Sequence, residues 1–591
     1  MTSSTIVAQV DDLIRRAEAL EQGGASERSK ALATRLRATV LRPLSELGDT
    51  SGQGAPPVAA SEADLEESLF ELAIDLTRAC ATDDRAALLE ACAGAQYLAT
   101  VGREDTQERI TRLAEIARDI PGDPKGRIRV RENGPYLRTG AAPMSNFLGE
   151  PTTAPPVAAL CRCGRSESKP WCDGTHATIG FNDRKHADRV ADRLDSYPAR
   201  QFTILDNRGI CAHSGRCTDA LPTGFRAGAE PFVAPAGGRS DDILRAIQSC
   251  PSGALGAAIA ERRAADLVDR IRPPAIEVSK DGPYFVSGGV DLRDDAGNEP
   301  ARAAGASREH FALCRCGQSK NKPFCSGAHW YADFHDPVMD PDREPTLFEW
   351  AGGYPVLLRV TRLFYERHVP QDDLLAPLFA RMEPDHPERV ASWLSEVFGG
   401  PKFYSQRYGG YSRMISKHLQ KHLTEAQRAR WVSLLCRSAD EALLAADPEF
   451  RAAFVAYLEW GTRIAVENSQ DDSRPPEGMP VPRWWWVCDA TPSARPASRP
   501  TGRGPVTDLA PPETPTPGQA LSFERHVKGF FRARDRGAMR FAFDLWSVAD
   551  VRTHARAIEA RLKAGTMPCD GAWPAERVAL FERWIAEGCA D

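Results

Sequence analysis

Three cysteines and one histidine fall within the sixteen residues CRCGRSESKPWCDGTH, Cys161 to His176. The same set returns downstream as Cys314, Cys316, Cys325 and His329. In both copies the order is Cys-x-Cys, eight residues, Cys, three residues, His. Ser166 matches Ser319, Pro170 matches Pro323, and Gly174 matches Gly327. Clustered thiols with an imidazole at a fixed offset point to metal binding, since a disulfide framework would not need the histidine. Cys₃His is a known structural zinc set, so zinc is the rival ion. Zinc fingers, however, usually bring together two separated knuckles of two ligands each, whereas here four ligands share one short loop. A C-x-C pair can hold one iron and a Cys with a His a second, which gives a [2Fe–2S] cluster with a single histidine ligand. Neutral imidazole in place of a thiolate raises the reduction potential. Its free ring nitrogen can take a proton, which couples reduction to pH and loosens the cluster.

The first copy resembles the CDGSH iron–sulfur family, whose pattern is C-x-C-x₂-[ST]-x₃-P-x-C-D-G-[SAT]-H, and fits it at every constrained position. The second departs once, with Ser326 in place of the aspartate. That position is not a ligand, so a [2Fe–2S] cluster is expected in both copies. The resemblance implies an electron carrier or cluster donor. Such proteins often pair as homodimers, so two copies in one chain could form that pair internally. Between the copies, ICAHSGRCTDALPTGF and AIQSCPSGALGAAI carry Cys211, Cys217 and Cys250 in the order C-x₅-C … C-P. Bacterial ferredoxins use C-x₂-C-x₂-C with a distant C-P. Placing Cys211 and Cys217 as first and third ligands puts Ser214 where the second cysteine belongs. This stretch is similar to the divergent single-cluster 4Fe-4S ferredoxin family. Three thiolates suit a [3Fe–4S] cluster; a [4Fe–4S] cluster needs a fourth ligand from His213, Ser214 or solvent.

Residues 343–490 carry a different kind of site. PTLFEWAGGYPVLLRVTRLFYERH, WLSEVFGGPKFYSQRYGG, RMISKHLQKHLTEAQRARWVSLL and FVAYLEWGTRIAVENSQ together resemble a group II truncated haemoglobin. The resemblance implies haem b with His418 as axial ligand, since that family's histidine precedes the TEAQRARW helix by a fixed interval. His422, four residues on, is the alternative ligand. Tyr365 and Trp431 match the distal residues, and Trp393 and Phe379 match pocket-lining positions more loosely. A phenol O–H and an indole N–H can both donate to a haem-bound oxygen atom, and such donors decide between binding and activation of O₂.

The elements that position these residues are legible in outline. Residues 1–120 show apolar positions at three- and four-residue spacing and read as a helical bundle with no metal-ligand pattern. RIRVRENGPYLRTG and AIEVSKDGPYFVSGGVDL are a repeated strand–turn phrase. Their Gly-Pro-Tyr triplets are 148 residues apart and the cysteine motifs 153 apart, so the second copy has the longer loop. The expected domains are 126–185 and 274–335 for the cysteine modules, 198–262 for an α+β ferredoxin-like insert, and 343–490 for an α-helical globin. A Pro-rich linker, 491–520, leads to a small helical domain, 521–591. That last domain has a cytochrome-c flavour but lacks C-x-x-C-H; Cys569, His526 and Met567 are isolated, and a haemless docking role is expected. The fold class is multidomain α+β.

Fifteen cysteines are many for a reducing compartment, and nine of them lie in the three groups above. The remainder, Cys80, Cys92, Cys436, Cys488, Cys569 and Cys589, read as buried or inert thiols. A net charge of −6 argues against general nucleic-acid binding. No apolar run approaches a membrane span and no secretory signal is apparent, so a cytoplasmic location is expected. No dinucleotide fingerprint appears, so electrons would come from an external reductase or ferredoxin. The function expected is electron transfer through the clusters to a haem that binds O₂, NO or a peroxide, an oxidoreductase if the haem catalyses. The alternative is a redox or gas sensor or a cluster carrier. A zinc scaffold, which would be colourless, is the third reading.

Overall fold

The computed structural model describes residues 3–22, 27–47, 61–121, 124–337, 343–473, 479–486, 512–563 and 573–591, apart from short stretches inside these ranges. The chain forms two compact units. One comprises Met1–Met144, Thr152–Pro337 and Pro505–Asp591; the other comprises Ser145–Pro151 and Val338–Gly504. The α+β class expected from the sequence holds, with helices at both ends, a β-rich middle and a separate helical region. Among the described residues, no helix is long and apolar enough to cross a membrane.

In the first unit the N-terminal helices are Ser3–Gln22, Glu27–Leu36, Glu62–Thr82, Ala86–Thr100 and Thr106–Ile116. Ser61 caps Glu62–Thr82 in a reciprocal box with Asp64. The segment AALLEACAGAQYLAT is small or apolar on almost every side, and its helix, Ala86–Thr100, is buried nearly throughout. The polar Gln96 on it is paid for by partners: its amide N–H₂ donates to Thr77 Oγ1 at 2.7 Å, and its carbonyl accepts from the Val157 N–H at 2.9 Å. That last bond ties the bundle to the first cysteine module, and Leu137 and Val157 complete the bundle's core.

The first module supplies β1 (Arg127–Val130), β2 (Tyr136–Thr139), β3 (Met144–Asn146) and β4 (Val157–Leu160). The insert supplies β5 (Asp195–Pro198), β6 (Thr203–Asp206), β7 (Leu255–Ile259) and β8 (Arg262–Arg263), antiparallel in that order. Helix Ser240–Gln248 buries Ile243, Ala246 and Ile247, the three- and four-residue spacing of an amphipathic face. The second module supplies β9 (Ala275–Val278), β10 (Tyr284–Ser287), β11 (Asp291–Arg293) and β12 (Phe311–Leu313).

The two modules exchange strands. The first sheet runs β11-β1-β2-β4, so its edge comes from the second copy. β11 lies parallel to β1 with Arg127 opposite Asp291, and the two side chains pair at 2.7 Å. The second sheet runs β12-β10-β9-β3, so its edge begins in the first copy. Near that edge the Ile276 N–H donates to the Pro143 carbonyl at 2.9 Å. The C-terminal helices Val548–Lys563 and Ala575–Ala586 enclose a core with Phe523, Phe581 and Trp584. There His526 is buried, and its Nδ1 accepts from the Ser522 N–H at 2.9 Å. Met567, Cys569, Cys488 and most of the Pro-rich linker lie outside the described residues.

The second unit is helical. Its main helices are Gly353–Arg362, His386–Val397, Glu425–Glu441 and Pro448–Asn468. Thr424 caps Glu425–Glu441 in a box with Gln427, and Asp447 caps the last helix through the Phe450 N–H.

Candidate metal centres

The four ligand candidates of each cysteine turn fall into two pairs. In the first copy Cys161 Sγ lies 3.9 Å from Cys163 Sγ, and Cys172 Sγ lies 3.3 Å from His176 Nδ1. In the second the distances are 3.9 Å for Cys314–Cys316 and 3.4 Å for Cys325–His329. Among the described residues, one group of three or more His, Cys, Asp or Glu side chains has all its ligand atoms within 4.8 Å, namely Asp269, Glu309 and His310. Neither cysteine turn forms such a cage. A tetrahedral zinc with bonds of about 2.3 Å to sulfur would draw its four ligands to within about 4 Å of one another. Two separated pairs instead suit two ions held side by side. The Asp269 group is an ion-paired cluster in which Arg272 engages Glu309.

The repeated residues build the turn. Ser166 Oγ donates to the Trp171 carbonyl at 2.7 Å and accepts from the Ser168 N–H at 3.1 Å. The carbonyl of Pro170, after a cis peptide bond, accepts from the Cys161 N–H at 2.7 Å. Gly174 adopts φ +88°, and its N–H points to Cys172 Sγ at 3.5 Å. Ser319, Pro323 and Gly327 repeat each of these contacts in the second copy. The copies differ at the aspartate. Asp173 accepts from the Thr175 N–H and hydroxyl and from the Glu167 N–H at 2.6 to 3.0 Å. The Ser326 hydroxyl that replaces it is buried without a hydrogen-bond partner.

The arginine between the first two cysteines is buried in both copies. Arg162 donates to the Arg131 carbonyl at 3.0 Å and to Asp183 at 2.9 Å. Arg315 donates to the Gly282 carbonyl at 2.8 Å and pairs with Asp336. The repetition of C-R-C at the 153-residue offset is the sequence signal that could have marked them. Within the C-x-C pairs a shared hydrogen bond holds one thiol down. It lowers Cys163, and it brings Cys314 to about 6. Burial pushes the Cys172 thiol up. Bound cations pull protons from such thiols.

The copies touch directly. A Cβ on Gly164 would lie 2.5 Å from the Cys316 carbonyl oxygen, and one on Gly317 would lie 2.3 Å from that of Cys163. Only glycine fits either position. Tyr136 Oη reaches the Cys314 and Pro323 carbonyls at 3.0 and 2.9 Å, and Tyr284 Oη reaches those of Cys161 and Pro170 at 2.9 and 3.0 Å.

Each histidine-bearing turn is also covered by a different neighbour. Over the first, Arg42 Nη2 stands 3.0 Å and Glu90 Oε1 3.5 Å from His176 Nε2. Arg42 and Arg131 both pair with Glu90. Burial opposes the charge on Glu90, but His176 and the two arginines outweigh it and hold the carboxyl below its ordinary range. No sequence signal marked Arg42 or Glu90. Over the second turn lies His213, with φ +52°. A Cβ on Gly327 would meet its Cδ2 at 2.4 Å, and its Nε2 is buried without a hydrogen-bond partner.

The three cysteines of the insert come from separate elements. Cys211 follows the turn Arg208–Ile210, Cys217 lies in the short helix Arg216–Ala220, and Cys250 follows Ser240–Gln248. They share one electrostatic neighbourhood. Burial, with the charge of Cys250, pushes Cys211 up to about 11 against the opposing Arg208, and Cys217 is raised by burial and by both other thiols. The His213 N–H points to Cys211 Sγ at 3.4 Å.

In the helical unit Tyr365 is buried, with its ring 4.6 Å from His386 and 5.2 Å from Phe379. Burial pushes its phenol up, against a hydrogen bond with Trp431. His386, which sequence reasoning missed because a lone histidine carries no spacing signal, is pushed down to about 4 by burial and by the charges of Arg389 and His418. His418 Nδ1 lies 3.0 Å from the Met414 carbonyl, which fixes the ring tautomer and leaves Nε2 as the lone-pair nitrogen. His422 is instead exposed (58% of its side chain) opposite Asp471. Trp393 donates to Tyr457 Oη at 2.5 Å.

Comparison with known proteins adds three family matches. Residues 133–177 and 281–330 match the iron-binding zinc finger of CDGSH type. Residues 197–258 match a divergent 4Fe-4S mono-cluster family, and residues 346–460 match a bacterial-like globin. No curated protein matches the chain. Similar solved structures include the group II truncated haemoglobin of Bacillus anthracis, at 19% identity over 23% of this chain and 98% of that one, with TM-score 0.20. The thermostable haemoglobin of Thermobifida fusca is 27% identical over 21% of this chain and 97% of its own, with TM-score 0.19. The haemoglobin of Chloroflexus aurantiacus is 27% identical over 21% and 98%, also with TM-score 0.19. The chain therefore carries two CDGSH-type iron-binding segments, a divergent 4Fe-4S segment between them, and a bacterial-like globin segment.

Proposed function

We propose that the protein is a multi-centre redox protein in which iron–sulfur clusters exchange electrons with a globin haem. Cys161 with Cys163, and Cys172 with His176, would hold the two irons of a [2Fe–2S] cluster, and the second turn would hold another in the same way. The observation that carries this reading is the division of each ligand set into two pairs rather than one four-ligand cage. Cys211, Cys217 and Cys250 would hold a [3Fe–4S] or [4Fe–4S] cluster. His418 would hold haem b through Nε2. Bound, these groups supply one-electron transfer and the binding of O₂, NO or a peroxide. The chain's own side chains orient and insulate. Met414 holds the His418 ring, Tyr365 and Trp431 would offer donors to a bound oxygen atom, and the buried Arg162 and Arg315 brace the cysteine turns through Asp183 and Asp336. A reductase or ferredoxin would supply the electrons.

The test is an anaerobic reductive titration of the purified full-length chain, followed by visible absorption and EPR, with iron, sulfide and zinc assayed on the same sample. Sulfide-to-iron charge-transfer bands, with a Soret band that shifts as the clusters equilibrate, support the reading. Clusters that reduce while the haem stays ferric for hours would favour a sensor instead. Colourless, zinc-loaded protein overturns both.

A further inference from the structure

The two cysteine turns are nearly superimposable in their internal bonds, yet different parts of the chain close over them. The first is covered by the N-terminal helices. Ala38 packs on Gly174, where a Cβ would meet the Ala38 Cβ at 2.7 Å. Tyr97 packs on Trp171 at 6.1 Å between ring centroids. Arg42 and Glu90 reach the histidine itself, and His176 is only 4% exposed. The second is covered by the ferredoxin-like insert. Ala212 packs with Ala312 and Cys325 in one small apolar cluster, and its carbonyl accepts from Trp330 Nε1 at 3.3 Å. His213 presses on Gly327, and the Gly209 carbonyl accepts from Asn321 at 3.0 Å.

Resting on the iron–sulfur reading above, we propose that these regions are two independent clamps, each holding one cluster. The helices around Arg42 and Glu90 hold His176 and the first centre; the loop at Ala212–His213 holds the His329 turn and the second. With Nδ1 of His176 turned to Cys172, Nε2 lies between Arg42 Nη2 at 3.0 Å and Glu90 Oε1 at 3.5 Å. A ring that ligates through Nδ1 carries its proton on Nε2, which Glu90 can accept, while Arg42 and Arg131 keep that carboxylate charged and in place. Partners of this kind fix a ligand ring, and their loss typically costs about 10- to 100-fold in metal retention. No such charge pair faces the second turn among the contacts described above; steric closure by His213 takes its place. Arg42, Glu90 and His213 are positioning residues, and the consequence is selectivity, because each clamp governs the lifetime of its own centre alone.

The experiment uses the full-length chain with clusters reconstituted anaerobically. Iron release to a ferrous chelator is timed, and EPR follows the two reduced [2Fe–2S] signals separately, assigned with Cys172→Ser and Cys325→Ser. In Glu90→Gln the first centre should decay about tenfold faster while the second keeps its wild-type lifetime. His213→Ala should show the reverse. Arg42→Lys should retain most of the wild-type lifetime and Arg42→Met should not, which separates loss of the charge pair from collapse of the helices. Equal decay of both centres in every variant, or wild-type decay of both, overturns the two-clamp inference while leaving the clusters themselves established. Wild-type protein that takes up zinc and no sulfide overturns the iron–sulfur reading instead.

Discussion

Tyr136 and Tyr284 stand edge to face at the contact between the two cysteine modules, ring centroids 6.0 Å apart and planes at 87°. Each phenol sits in its own module but bonds to backbone carbonyls of the other's cysteine turn. Both are the tyrosine of the repeated Gly-Pro-Tyr phrase, so one sequence feature performs the same task twice in opposite directions.

That crossing makes a local substitution act at a distance. Tyr136→Phe removes a bond to Cys314 and Pro323, so it should weaken the second copy rather than its own, by about 1 kcal/mol. Tyr284→Phe should weaken the first. Thermal loss of each reduced EPR signal, measured on both variants, checks the exchange; a variant that weakens only its own module would contradict it.

The aspartate position should respond asymmetrically. Asp173→Ser leaves the Glu167 and Thr175 donors without their acceptor and should destabilise the first turn by about 1–3 kcal/mol. Ser326→Ala removes a buried hydroxyl that has no partner and should be neutral or slightly stabilising. Chemical denaturation with cluster absorbance as the probe gives both values.

The globin segment offers two histidines near one another in sequence, His418 with Nδ1 on the Met414 carbonyl and His422 exposed opposite Asp471. His418→Ala should abolish the Soret band of haem-loaded protein, and His422→Ala should leave it intact. Retention of haem by the His418 variant would move the axial ligand elsewhere. Tyr365→Phe should preserve haem content and speed release of bound O₂, read by stopped-flow.

His386 makes the helical unit sensitive to acid. Its folded pKa of about 4 lies below the 6.5 of an unperturbed histidine. Between these values the unfolded chain binds more protons, so stability rises with pH. The contribution is fully present above about pH 6.5 and is lost as pH falls towards 4, with a slope of at most about 1.4 kcal/mol per pH unit. His386→Phe should flatten that part of the stability–pH curve.

What could be read in advance follows from how information is stored along the chain. The cysteine turns are local: Ser166, Pro170 and Gly174 all act within sixteen residues, and a second copy repeats them at a fixed offset, so both turns were legible. The fold class was legible for the same reason, since period and turn chemistry are local. The covers were not. Arg42 and Glu90 lie more than eighty residues before His176 in positions that read as ordinary helix, and only tertiary packing brings them to it. His213 was legible as a residue near the insert's cysteines, but its packing against Gly327 depends on where the insert docks. His386 had no companion at ligand spacing and joined Tyr365 only through folding.

The exchanged edge strands also set how the two halves can vary. A pair made from two identical chains carries every substitution on both sides of its axis. Here β11 completes the first sheet and β3 begins the edge of the second, while a single backbone covalently joins the halves. The partners therefore meet at a concentration independent of how much protein is present. They can also be changed one at a time: aspartate stands at 173 and serine at 326, and a charge pair lies over one side while a histidine lies over the other. One chain thus holds a pair of unlike halves, each open to substitution without a matching change in the other.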